Sequence, residues 1–273
     1  MSSQTVAPVI VLLHSPNLGP GSWRPVADEL SRAGHPVVVP SLAGFTDDGP
    51  PYVPRLVRLA AGQVPAGPPG EIILVTHSGA GVFVPHLVRA VAAREATAVF
   101  ADAALPRQSG ASTVVEGEFL PFLRNRASGG VVPPWPQWWP GEDLSALFPD
   151  EATRQAVTSE AGALPLRFFE ETLPLLPEGW PPCAAAYLVF SEAYRQEAGQ
   201  AVRAGWPVRE LPGEHLHMLV SPGEVAAAIT SLAAEARAAG ATLDSLPLPW
   251  PARPSGRPRP APPGRASGVG GAE

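Results

Sequence analysis

Glu71-Ile-Ile-Leu-Val-Thr-His-Ser-Gly-Ala-Gly81 is the stretch on which the reading of this chain turns. Ile72–Val75 is a short continuous apolar run of the kind that makes a buried strand, and Val82–Ala93 behind it carries a helical pattern. Between them lies Thr76-His77-Ser78-Gly79-Ala80. A serine on so sharp a strand-to-helix turn sits in a strained backbone conformation that lifts its Oγ above the strand ends. The residues two before and two after it must be small, because strand and helix nearly touch there. Thr76 and Ala80 satisfy this, although Gly is usual at both. The turn also aims the backbone N–H of Gly79 at the same space, as one donor to a developing oxyanion. Two other readings compete. Ser78 could simply cap the helix, or the turn could cradle a phosphate. The second fits poorly, since there is no Gly-x-Gly-x-x-Gly and no lysine anywhere in the chain.

Outward from this turn, residues 8–104 alternate between strands and helices. Val9–Leu13, Pro36–Val39, Ile72–Val75 and Ala98–Ala101 read as strands. Arg24–Ala33, with Val26 and Leu30 four apart, and Tyr52–Ala61 read as helices. The rhythm resumes after residue 184 with strand Ala185–Phe190, helix Glu192–Ala204 and strand Val208–Leu211. A last helix starts near Pro222, with Val225, Ile229 and Leu232 on one face. Uninterrupted apolar strands separated by helices predict an α/β fold. The expectation is a doubly wound, mostly parallel six-stranded sheet with helices on both faces, and no antiparallel hairpin before the first strand. Residues 105–182 break the pattern with Trp135, Trp138, Trp139, Trp180 and many prolines, and predict a helical lid insertion. Its aromatics, with Phe119 and Phe122, either line an apolar pocket above Ser78 or form the core of the lid itself. Residues 1–245 are thus expected to form one domain. Residues 246–273, rich in Pro and Gly and carrying Arg253, Arg257, Arg259 and Arg265, are expected to be a disordered tail.

The bulk numbers narrow the partners. Of 273 residues 45% are hydrophobic and 16% charged, enough for a sizeable core, and the net charge of −6 gives no pull toward nucleic acid or an anionic membrane. Cys183 is the single cysteine, so no intrachain disulfide is possible. Val9–Leu13 is too short for a signal core or a membrane span, which makes a cytoplasmic location the expectation. No nicotinamide, flavin or strong metal motif is present, so no cofactor is expected. The expected partner is a small-molecule substrate, with the oligomeric state left open.

A base and an acid complete the chemistry. Leu211-Pro-Gly-Glu-His-Leu-His-Met-Leu-Val-Ser-Pro222 lies between the last strand and the last helix, where the histidine of a Ser…acid…His chain order belongs. His215 and His217 compete for that role, and with Glu214 they also make a weaker metal-binding reading. His14, His35, His77 and His86 have no comparable setting. For the acid, Asp102 ends the fourth strand in Val99-Phe-Ala-Asp-Ala103, beside the strand that carries Ser78. Glu192 in Ser191-Glu192-Ala193-Tyr194 is its rival, and Asp102 is favoured.

These segments together resemble the α/β-hydrolase superfamily, in the style of its small methylesterase and hydroxynitrile-lyase branch. The likeness covers residues 8–104 and 184–238. It is carried by Val9-Ile-Val-Leu-Leu-His-Ser-Pro…Gly21-Ser-Trp23, Gly34-His-Pro-Val-Val-Val-Pro-Ser-Leu-Ala-Gly44, Thr76–Gly81 and Gly213–Pro222. The resemblance implies Ser78 as nucleophile. It also implies His215, seven before Pro222, as base. Three departures stand out: the usual His-Gly-x loop is His14-Ser15-Pro16, the usual Asp after the later strand is absent, and the Asp after the second strand is Ser41. Pro16 falls where relatives donate a backbone N–H to the oxyanion, and it has none. Asn17 is the expected replacement donor, with Ser15 next. The resemblance implies a serine hydrolase of a small ester, thioester, lactone or amide. The alternatives are a lyase or cyclase that uses the site for proton transfer, and a non-catalytic binding protein.

Overall fold

Continuous runs of Val, Ile and Leu become the centre of a parallel sheet. The computed structural model describes residues 7–65, 71–91, 95–107, 112–174 and 183–245. The strands are β1 (Val9–Leu13), β2 (Val37–Val38), β3 (Glu71–Ser78), β4 (Glu95–Ala103), β5 (Val131–Val132), β6 (Leu164–Pro165), β7 (Ala184–Val189) and β8 (Val208–Glu210). Six of them form one sheet in the order β2-β1-β3-β4-β7-β8, every pairing parallel, as the sequence predicts. The chain starts in mid-sheet at β1, runs outward to β2, returns to β3 and then builds in the other direction. That reversal opens a crevice beyond the carboxyl ends of β1 and β3.

The helices are α1 (Arg24–Arg32), α2 (Val53–Gly62), α3 (Val84–Val91), α4 (Phe119–Arg126), α5 (Glu151–Ser159), α6 (Leu166–Glu170), α7 (Arg195–Arg203), α8 (His217–Val220) and α9 (Pro222–Ala239). Strand alternation sorts them onto two faces. Val11 and Leu13 of β1, with Ile72 and Leu74 of β3, meet Ala60, Ala61, Leu87 and Val91 of α2 and α3. Ile10, Leu12, Ile73 and Val75 alternate to the other face and are buried. There α9 packs on α1 and on β4 and β7. None of the described helices is long and apolar enough to cross a membrane.

Several boundaries differ from the sequence expectation for physical reasons. β3 and β4 run past their apolar cores, because Thr76, His77 and Ser78 stay in the ladder although they are polar, and β4 continues past Asp102 to Ala103. The helix expected from Val82 opens instead as a 3-10 turn, Gly79–Phe83, before α3, and residues 92–93 lie outside the described residues. The helix expected from Glu192 likewise begins as a 3-10 turn, Glu192–Tyr194, before α7. The tail from 246 and Trp180 also lie outside the described residues.

The segment between β4 and β7 carries α4, α5, α6, the antiparallel β5–β6 ribbon and a 3-10 turn at Trp135–Trp138. Two of its carboxylates anchor it to the sheet layer. Glu171 accepts from the backbone N–H groups of Tyr52 and Val53 at 2.6 and 2.9 Å, capping the start of α2. Glu160 accepts from Gly21 N–H at 2.6 Å, just ahead of α1. Negative groups at helix starts satisfy N–H donors that the helix leaves unused and face the positive end of its dipole.

Candidate active site

Ser78 is the last residue of β3, with φ 57° and ψ −130°. This backbone region is costly for any residue with a Cβ, and it persists where the surrounding packing enforces it. The closest approach of this turn to its neighbours falls one residue beyond the expected position, at Gly81. A Cβ on Gly81 would lie 2.0 Å from the Ala104 carbonyl oxygen and 3.2 Å from Ala103 Cβ. Gly81 therefore lets the turn close against the end of β4. A Cβ on Gly79 would meet nothing within 4 Å.

Asp102 owes its position to a break in register. Along β3 and β4 the pairing runs regularly to His77↔Ala101 and then jumps to Ser78↔Ala103, leaving Asp102 as an extra, bulged residue. Its φ of 44° is the backbone signature of that bulge. Bulges of this kind re-aim a side chain at the end of a strand. Among the described residues, Ser78 and Asp102 are the two non-glycine positions with positive φ. The Asp102 carboxylate is fully buried and surrounded by donors. Oδ1 accepts from Phe190 N–H at 2.9 Å and Ser191 N–H at 3.1 Å, and Oδ2 accepts from Ser191 Oγ at 2.5 Å. The fourth bond comes from His215 Nδ1, at 2.8 Å from Oδ2. A carboxylate on Nδ1 fixes the tautomer in which Nε2 is free to take a proton.

The two rival assignments fall elsewhere in space. His217 opens α8, packs its ring 5.6 Å from Phe190 and fills the space beside Gly213. Burial lowers its pKa. The Glu192 side chain is 84% exposed and pairs with Arg195. The structure thus brings Asp102 and His215 together and leaves Glu192 at the surface.

Sequence reasoning missed the groups that pack around the imidazole. His77 packs against the His215 ring with centroids 4.4 Å apart and the planes tilted by 32°, and its Nε2–H donates to the His215 carbonyl at 2.9 Å. Burial, reinforced by the neighbouring His215, holds the pKa of His77 well below the usual value. His77 therefore favours the neutral form beside His215. Tyr194 stacks nearly parallel to the same ring, at 5.1 Å and 11°. Its Oη lies 3.3 Å from Ser78 Oγ. Ser78 and His215 line one cavity, but among the hydrogen bonds of the described residues the partner of Ser78 Oγ is Tyr194. In ligand-free sites the serine–histidine bond is commonly long and tightens when substrate binds. The one available signal was Tyr194 itself, which closes the very segment searched for a carboxylate.

The cavity over Ser78 has a volume of about 390 Å3. Its floor includes Pro16, Asn17, Ser78, Gly79, Tyr194 and His215. The Gly79 N–H heads a 3-10 turn that cannot use it internally. Both nitrogens of Asn17, backbone and side chain, sit 3.4 Å from Ser15 Oγ, at the long limit of a hydrogen bond. The roof comes from the insertion: Phe119, Trp135, Trp138, Phe168 and Phe169 line it. Phe122 and Trp139 lie behind, stacked 6.2 Å apart, and pack against Trp138. The lid aromatics therefore divide between the two uses that the sequence left open, and Phe168 and Phe169 join them.

A family model described as alpha/beta hydrolase family matches residues 10–228. No curated protein matches the chain. Among solved structures, the chain is similar to an extracellular alpha/beta-hydrolase from a Paenibacillus species, described as sharing structural and functional homology with tobacco salicylic acid binding protein 2. That pair is 20% identical, with a TM-score of 0.59 over 83% of this chain and 98% of that one. It is also similar to polyneuridine aldehyde esterase, at 17% identity and a TM-score of 0.61 over 83% and 99% of the two chains. A pyrethroid hydrolase from Sphingobium faniae is 18% identical, with a TM-score of 0.61 over 84% and 98%.

Proposed function

This chain belongs to the alpha/beta hydrolase family, and on that premise we propose that it is a serine hydrolase of small-molecule esters with Ser78, His215 and Asp102 as its working groups. Thioesters, lactones and activated amides fall within the same chemistry. His215 Nε2 takes the Ser78 Oγ proton as the oxygen attacks the substrate carbonyl. Asp102 holds the ring and balances the charge that forms on it. The developing oxyanion is met by the Gly79 N–H and by a nitrogen of Asn17, since Pro16 has no N–H to give. The observation that carries this reading is the pairing of strain with function: Ser78 and Asp102, the two positive-φ non-glycine positions among the described residues, sit at the two ends of the Ser–His–acid arrangement. Similar structures are described as an esterase and a pyrethroid hydrolase, which agrees with an ester substrate. The aromatic roof favours aromatic or bulky apolar acyl groups over acetate.

The test is turnover of a panel of p-nitrophenyl and alkyl esters graded in acyl size. Hydrolysis that rises from acetate to aromatic acyl groups is expected. A protein that cleaves none of them contradicts the reading. One observation favours a second reading, proton transfer without acylation: Pro16 removes a donor that an acyl-transfer site needs. That reading expects a chain that binds such esters and leaves them intact.

A further inference from the structure

Tyr194 is a buried aromatic residue that the mechanism above leaves without a role. It closes the 3-10 turn after β7 and lines the cavity. Its ring lies almost parallel to the His215 imidazole, and its hydroxyl is 3.3 Å from the nucleophile oxygen. The sheet order says which side of the substrate this hydroxyl faces. β1 lies on one side of β3, and the loop after it carries Asn17. β4, β7 and β8 lie on the other side; the end of β4 carries Asp102, and the segments after β7 and β8 carry Tyr194 and His215. The oxyanion donors therefore approach from the β1 side and the elbow, while Tyr194 approaches from the side of the base. In acyl transfer the leaving group must face the base, because the base returns its proton there.

Resting on the hydrolase reading, we propose that Tyr194 is a further catalytic side chain, whose hydroxyl donates a hydrogen bond to the leaving-group oxygen as the adduct collapses. The Ser78 Oγ bond to the carbonyl carbon forms while the Oγ proton moves to His215 Nε2. The bond from that carbon to the alcohol oxygen then breaks, its electron pair stays on the oxygen, and the alkoxide takes the proton from Nε2. Tyr194 remains a phenol throughout, and its O–H steadies the alkoxide until the proton arrives. Water then takes the alcohol's place and is held by the same hydroxyl; as His215 Nε2 takes its proton the water oxygen bonds the acyl carbon, the bond from that carbon to Ser78 Oγ breaks, and Oγ takes the proton back from Nε2. In the resting site the Tyr194 hydroxyl engages Ser78 Oγ, which keeps it in place for the next cycle.

Tyr194→Phe keeps the ring over His215 and deletes only the hydroxyl. The experiment compares the ethyl and p-nitrophenyl esters of one aromatic acid. An ethoxide needs help to leave, whereas p-nitrophenolate needs little. The expected loss in kcat/KM is on the order of 10²-fold for the ethyl ester and roughly ten times smaller for the p-nitrophenyl ester, with the loss in kcat rather than KM. Equal losses on both esters place Tyr194 at the nucleophile or the stack and overturn the proposal, as does no loss on either. Should the variant fail to fold, a fluorinated tyrosine at position 194 keeps the shape and strengthens the donor. It is expected to flatten the dependence of kcat/KM on leaving-group acidity, and an unchanged dependence overturns the proposal. Wild-type protein that cleaves neither ester overturns the hydrolase reading and this inference together. Wild-type turnover with no leaving-group selectivity in the variants overturns this inference alone.

Discussion

The floor of the cavity comes from the ends of β3 and β4 and the segments after β1, β7 and β8, and its roof comes from residues 112–174. The floor is held by backbone. Ser78 and Asp102 sit in positive-φ conformations, Gly81 abuts the Ala104 carbonyl, and the Asp102 carboxylate spends its accepting capacity on four donors. The roof is held by side chains: tilted aromatic rings packed over the cavity, and two carboxylates docked at the starts of α1 and α2. A floor built this way tolerates almost no displacement, because strain persists only while neighbours enforce it. A roof of apolar rings can be reshaped one residue at a time. On the proposed reading, chemistry and selectivity are carried by parts with different tolerance to change.

Substitutions that touch each part should separate them. The largest effect is expected from Asp102→Asn, which preserves shape and removes the charge that sets the His215 tautomer. A loss of about 10⁴-fold in kcat is expected by analogy with the same change in a known serine protease, with the fold intact by circular dichroism. Full activity in this variant would mean that the bulge at Asp102 is structural only.

Gly81→Ala attacks the floor through geometry. Its Cβ has no room beside the Ala104 carbonyl, and that oxygen belongs to backbone that cannot swing aside. Destabilisation of about 3 kcal/mol or more is expected from overpacking at so close an approach, read from chemical denaturation. A variant as stable as wild type would show that the elbow has room for a Cβ at position 81. Trp138→Ala, in the roof, should do the reverse. It is expected to raise KM for aromatic acyl esters by roughly 10- to 100-fold, the scale of about 1–3 kcal/mol for lost apolar contact, while kcat for acetate esters changes little. A loss spread evenly over all acyl groups would break the division between floor and roof.

How much of this was legible in the sequence follows the same division between local and non-local causes. β1 runs from Val9 to Leu13 in both readings, because an uninterrupted apolar run states its own boundaries. The parallel order and the elbow at Ser78 likewise follow from local pattern. Asp102 was reachable as a candidate because its strand neighbours the one that bears Ser78. The bulge that turns it toward His215 was not, since a bulge is a relation between two strands and leaves no mark on either sequence. The same holds for Gly81, whose importance depends on a carbonyl 23 positions later in the chain. Tyr194 and Ser191 escaped because the segment was searched for a carboxylate, while its hydroxyls and its ring are what reach the site.

If the strained Ser78 is an activated nucleophile, a fluorophosphonate captures it covalently. The protein is incubated with a fluorophosphonate and the adduct is located by intact mass and peptide mapping, in wild type, Ser78→Ala and His215→Ala. One adduct on Ser78 is expected in wild type, none in Ser78→Ala, and greatly slowed labelling in His215→Ala. Labelling that persists in Ser78→Ala, or wild-type protein that takes no label, would contradict the account.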